Sequence, residues 1–114
     1  MKTAKDPRHQ NRIQLVKELY AYSFTAEVTD GITPIVEKLS EIDSKIGAVA
    51  TNWDIAGINK VDLAILRLGV FELEKKELTA NIIIDEAIEI AKEYGADASK
   101  NFVNAVLSKI AATV

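Results

Sequence analysis

The chain has 114 residues, 48% of them hydrophobic, with no cysteine, a single histidine and a net charge of −3. That describes one domain, large enough to bury roughly two thirds of the surface its unfolded form exposes, and it excludes a disulfide framework, a thiolate metal site and a His-rich one. The opening MKTAKDPRHQNR lacks the apolar core of a signal peptide, and no apolar run nears the roughly 20 residues that span a bilayer, so a soluble, cytoplasmic protein without membrane contact is expected.

The charges are segregated. Residues 1–12 carry Lys2, Lys5, Arg8 and Arg12 against Asp6, a balance of +3, while residues 13–114 hold the other 10 basic and 16 acidic side chains, a balance of −6. A basic arm on an acidic body fits a protein that meets a phosphate backbone at one end and something else over the rest. A solubilising tail has the same composition.

Pro7 suits the first turn of a helix, and Ile13, Val16, Leu19, Tyr20 and Phe24 recur at spacings of three and four, predicting a first helix over about 7–25. Thr29-Asp30-Gly31 reads as its break, and Thr33-Pro34 as a cap followed by proline at the first helical position. A second helix then carries Ile35, Leu39, Ile42, Ile46, Val49 and Trp53 as one seam, with Gly47 costing it about 1 kcal/mol of propensity. Asn59, with Asp62 three residues on, resembles a capping box that opens a third helix. From Val61 to Leu73 that helix is apolar on nearly every side, the mark of a strut surrounded by others. Glu72, Glu74, Lys75, Lys76 and Glu77 read as its solvated end, and Leu78 to Asn81 as a short link. A fourth helix buries Ile83, Ala87, Ile90, Ala91 and Tyr94 and closes at Gly95 in a left-handed cap. The last, from about Ala98, packs through Val103, Val106, Leu107 and Ile110. The result is an all-α body in a single domain, residues 1–114.

Little in the chain carries covalent chemistry. Asp85, Glu86, Glu89 and Glu93 fall at helical spacing but read as the polar face of an amphipathic helix. None of the five glycines has phosphate-loop spacing, and Ser23, His9 and an Asp make a triad only by coincidence. No catalytic residue, metal or cofactor is expected, and the chain reads as a binder rather than an enzyme. Arg8, His9 and Arg12 cover a turn and a half at a helix N-terminus, where amides and dipole also attract phosphate. Tyr20 and Phe102 are candidates to stack on RNA bases, with Lys100 and Asn104 beside them, core packing being the alternative for both aromatics. Three or four phosphate contacts imply a salt slope of roughly −2 to −3, weak enough near physiological salt that a second protein is expected to assist.

Three motifs in order add a family to this reading. Val61-Asp62-Leu63-Ala64-Ile65-Leu66-Arg67-Leu68, Ile84-Asp85-Glu86-Ala87-Ile88-Glu89-Ile90-Ala91-Lys92 and Asn101-Phe102-Val103-Asn104-Ala105-Val106-Leu107 resemble the VDxAILRL, INEAIELAK and KFVNGVL helices of the NusB transcription antitermination family. IQLVKELY, Ser40-Glu41-Ile42-Asp43 and Asn52-Trp53-Asp54 resemble its other landmarks. The resemblance implies a compact NusB-like helical bundle that binds boxA-type single-stranded RNA together with the ribosomal protein NusE and joins the RNA polymerase elongation complex during ribosomal RNA transcription. It places RNA contact on Arg8, His9, Arg12, Tyr20, Lys100 and Phe102, and the NusE-facing position on Asp62, for which capping of the third helix is the competing account. Two departures stand out: Gln10 and Asn11 dilute the arm, and only about fifteen residues, Thr25 to Leu39, separate the first helix from the next landmark. One N-terminal helix of the family is therefore expected to be missing, leaving a shortened N-terminal half whose surface is either repacked or exposed. An exposed surface would favour a homodimer. The alternative functions are an interaction module or ribosomal RNA biogenesis factor without strong RNA binding, and a detached RNA-targeting domain.

Overall fold

The structure, a computed structural model, describes residues 6–52 and 54–114. The expectations placed on Lys2, Lys5 and Trp53 lie outside the described residues. Six α-helices account for the described chain: α1 Pro7–Thr25, α2 Thr33–Glu37, α3 Leu39–Val49, α4 Lys60–Lys75, α5 Ala80–Tyr94 and α6 Ser99–Ala111. Helices α1, α3, α5 and α6 all pack on α4, and every residue from Asp62 to Val70 is buried. The apolar stretch that reads as a strut is one, because a helix hydrophobic on every side is stable only inside others.

Local chemistry explains the boundaries. The Asp6 carboxylate accepts the Arg8 N–H at 2.9 Å ahead of Pro7, whose missing donor costs nothing in a first turn. Helix α1 stops where Ala26 turns left-handed at φ 59°, its N–H donating to the Tyr22 carbonyl. The Thr29-Asp30-Gly31 segment is a consequence of that stop rather than its cause, and it continues into a 3-10 turn over Asp30–Ile32. Of the α1 seam, Ile13, Val16 and Leu19 are buried, while Tyr20 and Phe24 stay exposed and stack edge to face, centroids 5.0 Å apart.

The predicted second helix is two. At Lys38 the backbone leaves the helical region, φ −109° and ψ 11°, and its N–H donates to Ile35 three residues back. Thr33 does not cap α2, since its hydroxyl donates to the Thr29 carbonyl at 2.9 Å. The kink lets Ile32 and Ile35 bury together with Ile42 and Ile46, which one straight helix would hold in a single line. Between α1 and α3, Ile32 of the 3-10 turn and Ile35 of the short α2 are buried in the same core as Ile42 and Ile46 of α3.

Two other expectations change. Gly95 closes α5 in extended backbone, φ −90° and ψ −177°, not left-handed. Glycine fits there because a Cβ would lie 2.7 Å from the Ala91 carbonyl oxygen and 2.6 Å from Ser99 Oγ, which accepts the Ala96 N–H. The end of α4 is not simply solvated either: Glu72 and Glu74 are only partly exposed and pair with Arg12 and Lys45.

The two helix-interior glycines predict opposite outcomes. At Gly69 a Cβ would meet Leu107 Cδ1 at 2.8 Å, where α4 and α6 touch and Leu107 is fully buried. Gly69→Ala is expected to lower stability by about 1 kcal/mol, overpacking outweighing the gain in helix propensity. Gly47 faces open space, so Gly47→Ala is expected to raise stability by about 0.5–1 kcal/mol. Urea midpoints that move in opposite directions at unchanged slope check both.

Candidate functional site

The bundle carries the sequence-predicted residues at two ends of α4. At the C-terminal end of α4 lies the start of α1. Arg8 projects into solvent, its side chain 80% exposed and only loosely paired with Asp6 at 3.9 Å. His9 and Arg12, spaced to meet the core side of α1, turn inward. His9 Nδ1 sits 2.7 Å from Glu86 Oε1 on α5, and an ionised carboxylate can only accept, so Nδ1 donates. Arg12 makes a two-pronged contact with Glu72 on α4, Nε to Oε1 at 3.0 Å and Nη2 to Oε2 at 3.0 Å, and its Nη1 lies 3.7 Å from Glu86. Burial alone would lower the Arg12 pKa. The hydrogen bond and charge of Glu72, with the charge of Glu86, outweigh it and hold the guanidinium above its ordinary range.

Sequence reading missed this four-residue cluster, in which Glu86 meets His9 and Arg12 and Arg12 reaches Glu72. Glu86 reads as part of a polar face on α5, yet it is buried, and its partner His9 is 77 residues away in sequence. No local spacing signals such a pair.

The other end of α4, about 15 Å away by helical rise over ten residues, brings Asp62 and Phe102 to one cavity, with Tyr20 in a groove beside Val61. Asn59 caps α4: its side-chain oxygen accepts the N–H of Val61 at 2.9 Å and of Asp62 at 3.4 Å. Asp62 gives nothing back to close a capping box. It is 7% exposed, and its Oδ1 has no hydrogen-bond partner among the described residues. The positive end of α4 stabilises that charge, but a buried acceptor left empty still costs free energy.

Asp62 and Phe102 line one cavity of about 400 Å³, with Ile58, Asn59, Ala98 and Ser99 completing its walls. Phe102 is half-buried and also borders a second groove of about 180 Å³ with Val49, Asn52, Val106 and Lys109. Lys100 and Asn104 are exposed on α6, and Asn104 Oδ1 accepts from Ser108. Tyr20 faces a smaller apolar groove with Val61, Lys17 and Tyr94, the Lys17 ammonium lying 5.7 Å from the Tyr94 ring. Lys17 and Tyr94 were not singled out by the sequence, which places Tyr94 in the core, whereas it is 43% exposed. Among the described residues no group of three His, Asp or Glu side chains is placed to hold a metal ion, and no helix is long and apolar enough to cross a membrane.

With this geometry in hand, comparison with known proteins is informative. A model of the NusB family matches residues 9–112. The transcription antitermination proteins NusB of a Geobacter species and of Agathobacter rectalis are 45% and 41% identical over 95 and 85 residues, covering 82% and 74% of this chain and 63% and 65% of their own lengths. The chain thus spans a little under two thirds of the curated relatives it matches. Among solved structures, T. maritima NusB aligns with a TM-score of 0.85 at 33% identity, covering 98% of this chain and 93% of that one. A chain from the crystal structure of a plectonemic RNA supercoil aligns with a TM-score of 0.83 at 25% identity, covering 93% and 94%.

Proposed function

This chain belongs to the NusB family, and we propose that it is a cytoplasmic, non-enzymatic transcription antitermination factor. In this reading it binds boxA-type single-stranded RNA together with NusE and joins the RNA polymerase elongation complex during ribosomal RNA transcription. The observation that carries the reading is the Asp62 end of α4. There Asp62 and Phe102 wall one cavity, and the buried Asp62 carboxylate has an oxygen without a donor, so a partner entering the cavity meets an acidic group that a small side-chain turn would make available to it. Phe102 puts an aromatic ring on that wall and Lys100, exposed two residues earlier on α6, adds a cation to the same helix, a pairing suited to a strand of RNA held between the two proteins.

At the other end, among the described residues of the arm, Arg8 is exposed to meet phosphate, while His9 and Arg12 hold α1 to the bundle. Their role in RNA binding is then to fix where Arg8 emerges. The inward turn of His9 and Arg12 favours a second reading, an interaction module that binds NusE and contacts RNA only weakly.

Fluorescence anisotropy with a boxA RNA, at two salt concentrations and with or without NusE, separates the two. Removing residues 1–12 would also remove His9 and Arg12, so the informative variant lacks residues 1–5 and carries Arg8→Ala. Binding that NusE strengthens, that salt weakens and that the variant loses supports the antitermination reading. NusE binding with no RNA signal in either chain supports the interaction module.

A further inference from the structure

A cleft of about 210 Å³ opens where the start of α1 meets the end of α4 and the start of α5. It holds roughly seven waters' worth of space at about 30 Å³ each, the scale of one flat heterocycle rather than a peptide segment. Its floor is apolar, from Leu15, Phe71 and Leu78. Arg8, Lys75 and the exposed amide of Asn11 line it as well. Two carboxylates also line it. Glu72 is held by the Arg12 fork, and Glu77 is a rim group, its side chain 66% exposed and 3.3 Å from Lys75.

We propose that this cleft takes one unstacked base of the RNA strand that the arm engages. The base would lie on the Phe71 and Leu78 floor with its polar edge toward Asn11, and its flanking phosphates would meet Arg8 and Lys75. The inference rests on the RNA-binding reading above and deepens it by adding α4 residues that no motif marks. Three features favour a nucleotide over other occupants. Two exposed cations, Arg8 and Lys75, line the cleft within reach of the phosphates of a strand laid in it. An amide offers both donor and acceptor, which a base edge can use and an aliphatic side chain cannot. The cleft is continuous with Arg8, the exposed cation of the described arm. Lys75 Nζ now lies 5.2 Å from the Phe71 ring, a position it can leave for a phosphate at little cost because both groups are near solvent.

The test uses the full chain and a short fluorescein-labelled single-stranded RNA carrying boxA sequence, with an abasic nucleotide placed at each position in turn. One position is expected to weaken binding about tenfold, the scale of one lost base stack. In Asn11→Ala and in Lys75→Gln, both exposed and remote from the core, that same position is expected to lose most of its effect. If RNA binds in an Arg8-dependent manner but no abasic position couples to Asn11 or Lys75, the cleft proposal is overturned and the RNA-binding reading stands. If no RNA binds at all, both fall. Hydrogen-exchange protection of the cleft by NusE alone would assign it to protein and also overturn the proposal.

Discussion

Replacing Arg12 with alanine is expected to destabilise the chain by about 3 kcal/mol, the lower part of the range for breaking a buried ion pair, since Glu72 keeps a fifth of its side chain in solvent. The loss has two sources. Glu72 gives up both prongs of its contact, and Glu86 loses a positive charge 3.7 Å away. Arg12→Lys is expected to recover less than half, because a single ammonium cannot reproduce the planar fork that meets both Glu72 oxygens. Urea unfolding checks the size of the effect, and a double-mutant cycle with Glu72→Gln checks its origin: a coupling of at least 1 kcal/mol is expected. The same variant separates structure from recognition. At temperatures where Arg12→Ala remains folded, RNA affinity is expected to change far less than in Arg8→Ala, although both changes remove one positive charge from the arm. Equal losses of RNA affinity at preserved stability would return Arg12 to the RNA surface.

The contrast between Arg8 and Arg12 also shows what a sequence can and cannot reveal. The fold was legible because its signals are periodic: Ile13, Val16 and Leu19 on α1, the unbroken apolar run of α4, and Val103, Val106, Leu107 and Ile110 on α6 all bury as their spacing predicts. Motif order made the family legible as well. The kink at Lys38 was not, because Ile35, Leu39 and Ile42 keep helical spacing across it. Nothing in that pattern reveals that the N–H of Lys38 prefers Ile35. Likewise Arg8, His9 and Arg12 read as one RNA-facing set, since a side chain's partner across 60 or 77 residues leaves no trace in local spacing. Gly95 illustrates a subtler case: its place after α5 was correct and its reason was not, steric access to Ser99 and Ala91 mattering where a left-handed backbone was expected.

Asp62→Asn is expected to leave the fold as stable as the parent, or up to about 1 kcal/mol more stable, while weakening NusE binding by about 2 kcal/mol, close to thirtyfold. The argument starts from the unpaired Oδ1. A buried carboxylate oxygen with no donor carries a desolvation penalty of about 1–3 kcal/mol, offset in part by the dipole of α4, about 0.5 kcal/mol for a charge in its first turn. Asparagine keeps the shape, removes the charge and so relieves more than it loses; the cap survives because Asn59 supplies it. A partner seated in the adjoining cavity would have to turn the carboxylate outward to donate to it, and would then gain a charge-assisted bond that offsets the cost carried in the free chain. Thermal unfolding and titration calorimetry on the same preparation read the two effects separately. A variant that loses about 2 kcal/mol of stability and binds NusE as before would make Asp62 a structural residue of α4. Stability retained with affinity lost would make its empty oxygen the contact point for the partner.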